Sequence, residues 1–245
     1  SEFQTLLKLL RQPEYINEKL LKSELALLLT KTLALLRSSN DEHVWRGCHT
    51  AVVICAYNPL VLCSHSGQLL AAIYAKLEQK VDYYNSTMAT LHGKVLFETL
   101  VFAISNLIEL MRDKPTLSRE SLTPKLKVII PTIINLAQYQ PKICLPVLKR
   151  LLYKNTTTFK PFVSKFRQVL AHKISDSYEQ FDTETQKLLC ESFAYLHLIK
   201  IHTASSQDEA LAHHKSFHDE NWRIGMFSIL CQFKPIIELC GEILD

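Results

Sequence analysis

From residue 16 to residue 37 the apolar positions fall at Leu20, Leu21, Leu25, Leu28, Leu29, Leu33 and Leu36, spaced three and four apart along one helical face. The polar break Ser38-Ser39-Asn40-Asp41 supplies capping oxygens for a second helix over about 42–57. Asn58-Pro59 closes that helix, because the residue before proline avoids helical dihedrals. Pro59 suits the first turn of a third, whose apolar positions run through Leu69, Leu70, Ile73, Tyr74 and Leu77 to Lys80. The same alternation predicts helices over 86–113, 122–138, 141–154, 159–175, 182–200 and 219–244. Pro115, Pro141 and Pro161 stand where helices begin, and Thr183-Glu184-Thr185-Gln186 has the spacing of a capping box. Pro131 and Pro146 fall inside helical patterns, where a kink is expected. Strand-like alternation is absent. Short breaks imply antiparallel neighbours, and helix pairs recurring about every 40 residues point to an all-α, HEAT- or armadillo-like α-solenoid of antiparallel helix pairs. The expected unit is one helical-repeat domain over residues 1–245, with a compact bundle as the alternative.

Composition narrows the choice. Only five glycines occur in 245 residues, against the ~17 of an average chain, so tight strand turns and phosphate-cradling loops are nearly excluded. Apolar runs such as 95–110 are broken by Glu98, Thr99, Ser105, Asn106 and Glu109, short of the ~18 residues of a membrane span, so no membrane partner is expected. The chain starts at Ser1 with no secretory pattern, which suggests a piece of a longer protein. Seven cysteines lie mostly inside apolar helical patterns without disulfide spacing, as in a reducing compartment.

Candidate chemistry is sparse. Cys48, Cys55 and Cys63 with His49 and His65 lack zinc-ligand spacing, and Cys48 and Cys55 are expected to face the core. His214 and His218 are four apart, with no third ligand evident. There is no nucleophile elbow, and the acidic pairs Asp41-Glu42, Asp208-Glu209 and Asp219-Glu220 read as helix-start charges. No enzyme, metal or cofactor is expected. Leu6 to Leu10, Leu25 to Leu29 and Leu148 to Leu152 fit a Leu-x-x-Leu-Leu docking pattern that core packing also produces. Trp45 and Trp222, each opening an apolar helix, are expected as buried structural anchors.

Charge carries the one feature that packing does not explain. Between Ser121 and Ser175 there is no acidic residue, while Lys125, Lys127, Lys142, Lys149, Arg150, Lys154, Lys160, Lys165, Arg167 and Lys173 contribute ten positive charges. The rest of the chain holds 18 basic against 24 acidic residues. Such a run forms either a stripe for RNA phosphates or an acidic partner, or a solvated face.

His43-Val44-Trp45-Arg46-Gly47 followed by Asn58-Pro59, the stretch from Leu188 to Leu196 around Cys190-Glu191, and Asn221-Trp222-Arg223 leading to Leu244 together resemble the Rix/PELP family of pre-rRNA-processing scaffold proteins. The match runs over about 41–244. It implies a non-catalytic scaffold of the nucleus, nucleolus and nucleoplasm, serving pre-60S maturation and processing of the spacer between the large-subunit rRNAs. The implied partners are a WD-repeat protein, a second helical-repeat protein, a midasin-type AAA ATPase, the pre-60S particle with its rRNA, and a second copy in a homodimer. The face of residues 3–10 or 227–244 is the expected self-contact. The family's acidic C-terminal region has no counterpart in this sequence. An RNA-binding helical repeat and a transport-receptor-like repeat are the alternative functions.

Overall fold

The computed structural model of the chain describes residues 18–84, 91–202, 204–213 and 215. Every regular element among the described residues is helical. The chain gathers into two compact units, the first ending at Leu126 and the second beginning at Lys127.

The first unit is built on α1 (Glu18–Arg37), α2 (Asp41–Tyr57), α3 (Pro59–Gln79) and α4 (Leu91–Arg112), with a short turn over Val81–Tyr84. Asn40 caps α2, its side-chain oxygen accepting from the amides of Glu42 (2.9 Å) and His43 (3.4 Å). Asn58 does the same for α3, accepting from Leu60 (3.0 Å) and Val61 (3.1 Å), and Pro59 takes the first helical position. Lys76 near the end of α3 donates to the Ser38 carbonyl at 2.9 Å, and Lys80 just beyond pairs with Asp41 at the start of α2. The end of α3 thus returns to the start of α2, so the two are antiparallel as the short break implies. α2 packs on α1, α3 and α4, and Val44, Cys48, Ala51, Ile54, Leu69, Leu70, Ile73, Leu100 and Ile104 are fully buried there. Gly47 permits the α1–α2 crossing: a Cβ there would lie 3.0 Å from the Leu36 amide nitrogen and side chain. By length and composition α3 is apolar enough to cross a membrane, a point the broken runs elsewhere did not suggest. Its Val61, Leu62, Leu69, Leu70, Ile73 and Leu77 are instead covered by protein.

Pro115 opens a continuous helical run to Ala137, comprising Pro115–Leu117, a π-helical turn at Ser118–Leu122 and α5 (Thr123–Ala137). Pro115 marks this helix start as expected, while the apolar period becomes visible only from about residue 122, because the polar Ser118-Arg119-Glu120-Ser121 conceals the first turns. The π turn lies against α3, where a Cβ on Gly67 would come 2.4 Å from the Ser121 hydroxyl oxygen.

The second unit holds α6 (Pro141–Lys154), α7 (Val163–Ser177) and α8 (Thr183–His202), with α8 against both others. The helices continue through Pro131 and Pro146. The capping box is displaced by one residue: Asp182 is the cap, accepting from the Thr185 amide at 2.8 Å, while the Gln186 side chain donates to the Tyr178 carbonyl. Leu148, Leu152, Phe159, Phe166, Leu170, Leu189 and Phe193 fill this core.

Candidate functional site

Ten basic residues define the candidate surface, and the helices sort them. α6 buries Cys144, Leu145, Val147, Leu148, Leu151 and Leu152, so the helical period sends Lys142 and Lys149 along one flank of that face and Arg150 and Lys154 to the opposite side. α7 buries Val163, Phe166, Leu170 and Ile174, which leaves Lys165 exposed and Arg167 and Lys173 half-buried. Lys160 is exposed in the 3₁₀ turn Lys160–Phe162, and Lys127 is exposed on α5.

Lys142 and Lys149 are answered by acids from outside the run. Lys142 pairs with Asp182 at 2.9 Å and approaches Glu184 at 4.0 Å. Lys149 pairs with Glu191, whose side chain is only 15% exposed, and lies 5.4 Å from the Tyr195 ring centroid. Both pairs progress in the same sense, so α6 and α8 run parallel. Asp182 is held at about 2 by the Thr185 backbone amide first and then by the Lys142 ammonium. Lys125 turns inward to its own helix, its Nζ 3.3 Å from both the Ser121 carbonyl and hydroxyl. Lys127, Lys160 and Lys165 are exposed and make no ion pair among the described residues. The one-signed run in the sequence is therefore partly balanced on the surface, because helix periodicity brings acids some forty residues distant to its flank.

The other sequence candidates resolve individually. Trp45 is not buried but 41% exposed: α2 turns Val44, Gly47, Cys48, Ala51 and Ile54 to the core, and Trp45 lies about 100° round from Val44 toward solvent. Its ring packs at a tilt against that of His49, one turn on, with 4.4 Å between centroids and 60° between planes. Trp222, His214, His218, residues 3–10 and residues 227–244 lie outside the described residues. Leu25, Leu29, Leu148, Leu151 and Leu152 are buried, so those two leucine motifs pack the core. Cys48 and Cys55 are buried as expected, and burial pushes both thiols up to about 12. Sequence spacing does not reveal one further cationic concavity, an open groove at the α1–α2 turn lined by Lys31, Arg37 and His43.

Comparison with known proteins assigns the chain. The family model described as "RIX1: rRNA processing/ribosome biogenesis" matches residues 1–181. The chain belongs to the RIX1 family. Within it, the pre-rRNA-processing protein RIX1 of Saccharomyces cerevisiae strain S288c is 61% identical over 246 residues, covering 100% of this chain and 32% of that protein. RIX1 of Candida glabrata is 50% identical over 244 residues, again covering 100% of this chain and 32% of the relative. The chain thus spans about a third of the length of the RIX1 relatives it matches. Among solved structures, a chain of the Rix1 subcomplex in a Rix1–Rea1 pre-60S particle matches at a TM-score of 0.76 and 58% identity, covering 100% of this chain and 41% of that one.

Proposed function

We propose that this chain acts without catalysis, as a scaffold segment that holds assembly factors on the maturing large ribosomal subunit in the nucleus. One observation carries this reading: the whole chain superposes on a chain of a Rix1–Rea1 pre-60S particle at 58% identity. Helical pairs of this kind present extended side-chain surfaces rather than a single cleft, which suits several simultaneous partners. The proposed partners are a midasin-type ATPase, a WD-repeat protein, a second helical-repeat protein and a second copy of the chain, with rRNA spacer processing as the outcome. Affinity purification of the full-length protein is expected to recover pre-60S factors together with the midasin-type ATPase, and its depletion to accumulate pre-rRNA that retains the spacer. Recovery of no pre-60S component overturns the reading.

Direct contact with rRNA is a second reading, favoured by the exposure of Lys127, Lys160 and Lys165. Counterion release makes such binding fall steeply with salt. Reversing Lys160 and Lys165 to Glu is expected to weaken RNA retention and flatten the salt slope by about two phosphate contacts. Unchanged binding in a filter assay would exclude these lysines.

A further inference from the structure

We propose that Ser38 is the acceptor for an acid-directed protein kinase, and that the cations gathered at the α1–α2 turn take up the resulting phosphate. This goes beyond the scaffold reading and does not depend on it. Three residues, Ser38 to Asn40, join α1 to α2; Ser38 is half-buried and its two successors are exposed. Downstream stand Asp41 and Glu42, three and four positions after Ser38, the acidic pattern that such kinases read through their own basic residues.

The receiving side is already assembled. Ser38 lines an open groove of about 520 Å³ with Lys31, Ala34, Leu35, Arg37 and His43. Lys31 and Arg37 are exposed and make no ion pair among the described residues. The Ser38 hydroxyl is 3.1 Å from His43 Nδ1, and Lys76 from α3 already donates to the Ser38 carbonyl at 2.9 Å. A phosphoserine carries close to two negative charges and three strong acceptor oxygens, so it suits a corner with this many donors. It also precedes the first turn of α2, where the helix dipole favours an anion. The last carbonyls of α1 and the nearby carboxylates oppose it. The carboxylates are partly screened, Asp41 by Lys80 and Glu42 by Arg46 at 2.5 Å.

In the transfer the Ser38 hydroxyl oxygen attacks the γ-phosphorus of a nucleoside triphosphate. The new O–P bond forms as the bond to the β–γ bridging oxygen breaks; the nucleoside diphosphate leaves with that electron pair, and the hydroxyl proton passes to the kinase's base. The phosphate then ties the α1–α2 turn to α3 through Lys76, which makes the first unit harder to open.

The test treats the full-length protein with casein kinase II and ATP and maps the phosphopeptides by mass spectrometry. The expected result is phosphate on Ser38, none at that site in Ser38→Ala, and incorporation slowed at least about five-fold in Asp41→Asn or Glu42→Gln, each checked for native circular dichroism. The phosphorylated protein is expected to melt about 2–4 °C above the unmodified one, a gain lost in the Lys31→Ala/Arg37→Ala double variant. Phosphate confined to Ser39, no incorporation at Ser38, or a phosphorylated protein that melts no higher overturns the proposal.

Discussion

At the scale of single residues, environment separates groups that composition treats alike. Five described cysteines divide into one exposed thiol, Cys63, and four buried ones, of which Cys190 is pushed up to about 11 chiefly by burial. Since the thiolate is the reactive form, iodoacetamide at neutral pH is expected to label Cys63 first and Cys48, Cys55, Cys144 and Cys190 only on unfolding, as peptide mapping would show. Asp182 has a folded value below its unfolded one, so its contribution to stability is present above about pH 4 and is lost as pH falls toward 2. Carbon-detected NMR is expected to show its carboxyl titrating near 2, and Asp182→Asn to flatten the acid limb of the stability curve. Trp45 is exposed and touches only the tilted His49 ring among the aromatic groups described, so replacement by Ala is expected to cost about 1 kcal/mol rather than the ~3–5 of a core aromatic. Iodide quenching of its fluorescence in a Trp222→Phe background checks the same placement.

At the scale of elements, helix identity was legible in the sequence and helix orientation only in part. The boundaries at Arg37, Tyr57 and Lys154 fall where capping residues and prolines place them, because those signals are local. Orientation about the axis depends on neighbours. At the start of α2 the period of Cys48 and Cys55 turns Val44 inward and Trp45 outward, against the general preference of a large aromatic for the core. The partial neutralisation of the basic run was hidden for a related reason: Lys149 and Glu191 meet only because α6 and α8 run side by side. The contact between α3 and the π turn is testable directly. Gly67→Ala is expected to destabilise by about 1–2 kcal/mol through overlap with the Ser121 hydroxyl. In a Ser121→Ala background the remaining approaches are the ordinary 3.6 Å to Lys125 Nζ and 3.7 Å to that residue's Cβ, so the same change is expected to stabilise by up to ~1 kcal/mol through helix propensity. Urea denaturation of the unsubstituted protein, the two single variants and the double variant reads this reversal of sign.

At the scale of the whole molecule, the absence of strand patterning and the shortage of glycine were enough for the all-helical class, since both reflect the entire chain rather than one site. The surface was less legible, because ten like charges in sequence do not state which acids will fold against them. The π turn at Ser118–Leu122 has a consequence of another kind. A π turn is an α-helix holding one residue more than its winding needs, so the wide turn absorbs that residue and the helix entering it and the helix leaving it stay in phase. Removing a single residue there would restore α winding and leave the flanking turns in phase, whereas removing one from the regular turns of α5 would rotate the rest of that helix by about 100° and draw it back by about 1.5 Å. Such a deletion within α5 would turn the buried Ile129, Ile130 and Ile133 toward solvent, so the π turn is the place along this run where the loss of one codon would be felt least.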